Sequence, residues 1–140
     1  MTTSKPTGAI RSAPRRRAVA LALTLMGPAL LLPGTASAGE ADVVGAEAVQ
    51  EGQGTWRFQV TVRHADEGWD HYADRWEVLA PDGTVLGVRE LAHPHVDEQP
   101  FTRSLGGVEI PPEIDSVRLR ARDSVHGYGG AEFPLRLPGR

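Results

Sequence analysis

The chain has 140 residues, with 15 Lys+Arg against 18 Asp+Glu and no cysteine. That length suits one ordinary domain. The missing thiol excludes a disulfide scaffold, a thiolate metal site, a cysteine nucleophile and a lipid-bearing cysteine within these residues. The net charge of −3 hides an asymmetry: Lys5, Arg11, Arg15, Arg16 and Arg17 face no acid in residues 1–38, so residues 39–140 carry all 18 acidic groups.

The first segment in chain order reads as an address. Basic residues end at Arg15-Arg16-Arg17, an apolar run follows from Ala18 to Leu32, and Gly34-Thr35-Ala36-Ser37-Ala38 supplies small residues. This is the pattern of a secretory signal peptide, with cleavage expected after Ala38. A run of that length broken by Gly27-Pro28 is short for a membrane anchor. The Arg pair resembles a twin-arginine export signal, although a plain Sec signal fits the following residues better. The expected product is therefore Gly39–Arg140, secreted or periplasmic, with no membrane span after signal removal. Residues 39–140 hold no lysine, which excludes Schiff-base and P-loop lysines, and their acidic balance argues against a nucleic-acid partner.

Short strands separated by turn signals follow. Asp42–Val49 is the first candidate. Thr55–His64 is the clearest, because Trp56, Phe58, Val60 and Val62 alternate with polar residues. Arg75–Ala80 puts Trp76 and Val78 inward, and Pro81-Asp82-Gly83 turns the chain into a return strand over Thr84–Leu91. Phe101–Leu105 is short and expected to break at Gly106-Gly107. Ser116–Asp123 alternates Val117, Leu119 and Ala121 with three arginines. Ala131–Leu137 closes the chain, and Pro134 suits an edge strand because it has no N–H to donate. Ala65–Ala73 has room for a single helical turn. Six to seven strands predict an all-β chain: an antiparallel β-sandwich of immunoglobulin or fibronectin-III type over 39–140, or a small closed barrel.

All five histidines lie at strand ends or in loops: His64, His71, His93, His95 and His126. In an immunoglobulin-like order, the loops carrying His64, His71 and His126 share one end of the sandwich. His93-Pro94-His95 points two imidazoles the same way along an extended chain. That pair could ligate Cu or Zn, with Asp97 or Glu98 nearby. His64–Trp76 is dense in acids, and Asp66, Asp70 and Asp74 are oxygen donors of the kind a hard cation takes; a solvated acidic loop pinned by Trp69 and Tyr72 is the better reading, since a calcium site needs several convergent oxygens. Asp123-Ser124-Val125-His126 holds the residue types of a hydrolase triad, but no Gly-x-Ser-x-Gly elbow accompanies them.

The run Trp69-Asp70-His71-Tyr72-Ala73-Asp74, with His93-Pro94-His95-Val96-Asp97-Glu98-Gln99-Pro100-Phe101-Thr102-Arg103-Ser104 and Asp123-Ser124-Val125-His126-Gly127-Tyr128-Gly129-Gly130, resembles a family of small secreted bacterial proteins of unassigned function. The resemblance implies a free-standing exported domain and transfers no catalytic residue.

Two classes of function follow. One is a non-enzymatic domain binding Cu or Zn through His93 and His95, completed by His64, His71 or His126. The other is a metal-free domain contacting an unknown protein or extracellular polymer through Trp69, Tyr72, Arg75 and Tyr128, residue types favoured at binding hot spots.

Overall fold

A computed structural model describes residues 1–4, 8 and 39–140. The expected cleavage point after Ala38, and nearly all of the segment before it, lie outside the described residues. The strands are β1 (Asp42–Gly52), β2 (Thr55–Arg63), β3 (Ala73–Leu79), β4 (Val85–Glu90), β5 (Phe101–Glu109), β6 (Ser116–Asp123) and β7 (Phe133–Arg136). They form two antiparallel sheets, one ordered β1-β2-β5 and the other β4-β3-β6-β7. This is a seven-strand sandwich of the immunoglobulin/fibronectin-III kind.

Alternation in the sequence becomes the core. Trp56, Phe58, Val60 and Val62 project from β2 and are fully buried. Trp76 and Val78 from β3 and Val117, Leu119 and Ala121 from β6 join them in the same apolar cluster. The arginines of β6 stay half exposed on the outer face, where Arg120 pairs with Glu77 of β3. Pro134 lies on β7, an edge strand, where a missing N–H breaks no ladder.

Two expectations are corrected. Ala65–Ala73 forms no helical turn; the amide of His71 donates to the carbonyl of Gly68 at 3.2 Å and that of Glu67 to the carbonyl of His71 at 2.8 Å. Gly68 sits at φ +109°, a conformation that suits glycine and closes this small hairpin. Gly106-Gly107 does not end β5 either. The register passes from Trp56 opposite Val108 to Phe58 opposite Leu105, so the two glycines are absorbed as a bulge. Pairing then resumes and delivers Val108 to the core.

The strand order decides where the loops go. β2 and β6 end where β3 begins, and β4, antiparallel to β3, ends there too. Segments 64–72, 91–100 and 124–132 therefore cap one end of the sandwich, and all five histidines lie in them.

Candidate metal centre

His64 extends the inward row Trp56, Phe58, Val60, Val62 by one more step of two residues. Asp123 extends the row Val117, Leu119, Ala121 in the same way. β2 and β6 belong to opposite sheets, so the two polar side chains enter the rim of the core from facing walls. Both are buried, His64 at 3% and Asp123 at 0% exposure. His71, also buried, reaches between them from the Gly68 hairpin: its ring packs edge-on against His64 with centroids 4.8 Å apart. His71 Nε2 lies 3.1 Å from Asp123 Oδ1. His64, His71 and Asp123 each offer one ligand atom, and these atoms lie within 4.8 Å of one another.

His126 completes the group from the solvent side. Its ring lies 5.0 Å from that of His71, and its Nδ1 is 3.1 Å from Asp123 Oδ1. The short loop after β6 folds over Asp123, because the amides of Val125 and His126 both donate to Oδ1, at 2.9 and 2.7 Å. Burial pushes the Asp123 carboxyl up, but those two amides and the His126 ring outweigh it and hold the group below its ordinary value. Asp123 is thus an anion at neutral pH. Its second oxygen, Oδ2, is buried and makes no hydrogen bond.

A second carboxylate steadies the arrangement from behind. Asp66, with no exposed side-chain surface, meets His64 Nδ1 at 2.6 Å through Oδ1. It also accepts the amides of Ala73 at 3.0 Å and His95 at 2.6 Å. His64 Nε2 is left to face the carbonyl of Gly39 at 2.9 Å. His71 is arranged alike, with Glu67 3.4 Å from Nδ1 and Nε2 turned to Asp123. A carboxylate on one ring nitrogen is how metal-ligating histidines are commonly oriented; the other nitrogen faces Asp123 in His71 and the Gly39 carbonyl in His64. Gln99 ties in the third loop, accepting the His64 amide at 3.0 Å and donating to the carbonyl of His95 at 3.1 Å.

His93 and His95 lie at the same end but in a different setting. Their rings are 4.6 Å apart. His93 is exposed and turns Nδ1 back to the carbonyl of Pro94 at 2.9 Å. His95 is buried and stacks on Phe101, centroids 3.9 Å apart, with neither ring nitrogen hydrogen-bonded. Burial, and then the charge of Arg103 and the ring of His93, lower the His95 pKa. Glu98 pairs with Arg103 rather than with either histidine, and Asp97 is exposed.

The other sequence candidates separate. Asp74 is taken by Arg122 and Asp70 is exposed, so Asp66, Asp70 and Asp74 do not share one site. Trp69 is 67% exposed, with Tyr72 edge-on at 5.6 Å. Tyr128 lies elsewhere: its hydroxyl donates to Glu77, and Arg120 stacks over its ring at 4.0 Å. Arg75 lies 3.7 Å from Glu90. These four residues form no aromatic cluster. Ser124 Oγ accepts the amide of Tyr72 at 3.1 Å, and His126 turns to Asp123, so the Asp-Ser-His run holds no nucleophile–base pair.

The class defined so far is an immunoglobulin-like sandwich with a buried His-His-Asp cluster at one end. The chain is 44% identical over 91 residues to a protein of Halomicrobium mukohataei described as "Putative lipoprotein". The match takes in 65% of this chain but only 44% of that relative's length. The relative is archaeal, so the likeness reaches beyond bacteria. No protein-family model matches the chain, and no solved structure matches it. Among the described residues, no helix is long and apolar enough to cross a membrane.

Proposed function

We propose that this is an exported domain that binds a transition metal, Cu²⁺ before Zn²⁺, through His64, His71 and Asp123, with His126 at the mouth. The observation that carries this reading is Asp123: a buried anion with Oδ2 unbonded, whose Oδ1 lies 3.1 Å from Nε2 of His71, in a group with His64 whose ligand atoms lie within 4.8 Å of one another. An unpaired buried carboxylate oxygen is costly, and a cation bound there removes the cost.

Distances support the same reading. Bonds of about 2.0–2.1 Å in a tetrahedral site put neighbouring ligand atoms roughly 3.3 Å apart. The 3.1 Å between His71 Nε2 and Asp123 Oδ1 already meets that spacing, and the ligand atoms of the three-residue group lie within 4.8 Å of one another. A donor set of imidazole and carboxylate without thiolate suits Cu²⁺ and Zn²⁺, and Cu²⁺ stands higher in the affinity order. Export is supported by the signal pattern of residues 1–38 and by the lipoprotein description of the relative.

The test is calorimetric titration of Cu²⁺ and Zn²⁺ into the metal-stripped protein, its Asp123→Asn variant and its His93→Ala/His95→Ala variant. Stoichiometric binding should weaken by more than the roughly 10–100-fold that loss of an outer-shell partner costs in Asp123→Asn. It should survive in the double variant. Weak binding that is equal in all three proteins contradicts the reading.

A further inference from the structure

We propose that removal of residues 1–38 completes this centre, the new α-amino group of Gly39 becoming a ligand beside His64. The inference rests on the metal reading above and adds to it a regulation: the site reaches full affinity only after export processing.

The observation is the contact of His64 Nε2 with the carbonyl oxygen of Gly39 at 2.9 Å. Gly39 is the first residue after the expected cleavage point. Its nitrogen and carbonyl oxygen are separated by two carbons, so both reach one metal ion as a five-membered chelate. In the uncleaved chain that nitrogen is a peptide amide, which holds its proton and has no basic lone pair. Hydrolysis of the Ala38–Gly39 bond adds water across it: the hydroxyl goes to the Ala38 carboxyl and the hydrogen to Gly39 N. The product is a primary amine, whose nitrogen lone pair is free to bind a metal ion as the amide's is not.

The arm after Gly39 is already fixed. Ala41 is buried. The amide of Val43 donates to the carbonyl of Ala131 at 2.9 Å, and that of Ala131 donates to Asp42 at 2.8 Å. A side chain at Gly130 would come within 2.1 Å of the Ala41 carbonyl, so glycine there allows the close seating of the arm. Only Gly39 and Glu40 precede the anchored backbone. Ordering so short an end costs little entropy, which favours ligation by the amine.

All seven strands and the buried core lie between Ala41 and Leu137, so Gly39–Arg140 contains the whole sandwich. The experiment compares three forms: residues 39–140 with a free amine, the same chain Nα-acetylated, and a chain extended by Ser37-Ala38. Each is titrated with Cu²⁺ against a competing chelator between pH 6 and 8, with thermal unfolding of the metal-free forms as a check of the fold. The free-amine form should bind at least about tenfold more tightly than the other two. Equal affinity in all three overturns the inference and leaves the metal reading standing. Failure of all three to bind overturns both.

Discussion

At one end of the sandwich the chain is held by backbone hydrogen bonds and by exposed or half-buried side chains; at the other it is held together by buried carboxylates. In the Pro81-Asp82-Gly83 turn, the amide of Gly83 donates to Ala80 at 2.9 Å, and that of Ala80 to Thr84 at 2.8 Å. At the same end, the amide of Ile110 reaches Gly54 at 2.9 Å, and Arg140 caps the carbonyls of Pro111 and Ile114 at 2.8 Å each. The histidine end spends two buried carboxylates on groups drawn from loops far apart in sequence. Asp66 serves residues 64, 73 and 95; Asp123 serves residues 71, 125 and 126. Turns that satisfy themselves need only suit the fold. An end built on buried ionisable groups carries a desolvation cost that packing alone does not require, and that contrast singles it out as the candidate site.

The largest expected effect breaks the contrast outright. Asp66→Ala leaves His64 and two buried amides without their acceptor and should cost about 3–5 kcal/mol, read from urea unfolding. A loss under about 1 kcal/mol would mean that the loops rest on packing instead. Next is the stabilisation by metal itself. At free Cu²⁺ one hundred times the dissociation constant, unfolding of the wild type should become harder by about 2.7 kcal/mol. His126→Ala should show less of this gain at the same concentration, since it removes a ligand at the rim without opening the core. Gly83→Ala is the control at the opposite end. Gly83 has φ +91° and open space around it, so the cost is backbone strain alone, about 1–2 kcal/mol, with metal affinity unchanged.

The finest distinction concerns acid. An unfolded histidine titrates near 6.5, and folded His95 titrates lower because it is buried. Above that value neither state binds the proton, so His95 has no effect on stability. As pH falls through 6.5, the unfolded chain takes up a proton that the folded chain refuses, and stability declines until folded His95 also titrates. His95→Phe should therefore lose less stability than the wild type between pH 7 and 5. Equal losses in the two proteins would place the acid sensitivity elsewhere.

Much of this was legible in the sequence because strand alternation is local. The rows from Trp56 to Val62 and from Val117 to Ala121 announce their inner faces, and Pro81-Asp82-Gly83 announces its turn. The meeting of His64, His71 and His126 at one end also followed, since the immunoglobulin-like order brings their loops together. What escaped was the weight of the acids. Asp66 read as part of a solvated acidic loop and Asp123 as part of a run set aside for want of a nucleophile elbow, although Asp123 keeps the inward parity of its strand and His64 keeps that of its own. Continuing each row by one step would have placed both inside. Gly39 left no signal at all, because its approach to His64 depends on where the arm before β1 docks. His93-Pro94-His95 drew attention through its spacing, but spacing does not report that His95 stacks on Phe101 while His93 turns to its own backbone.

The most direct test of the metal assignment is to follow the side-chain nitrogens of all five histidines by ¹⁵N NMR as one equivalent of Zn²⁺ is added. Large, saturating shifts confined to His64, His71 and His126, with His93 and His95 unmoved, are what the account predicts. Shifts centred on His93 and His95, or small and equal shifts at all five, would contradict it.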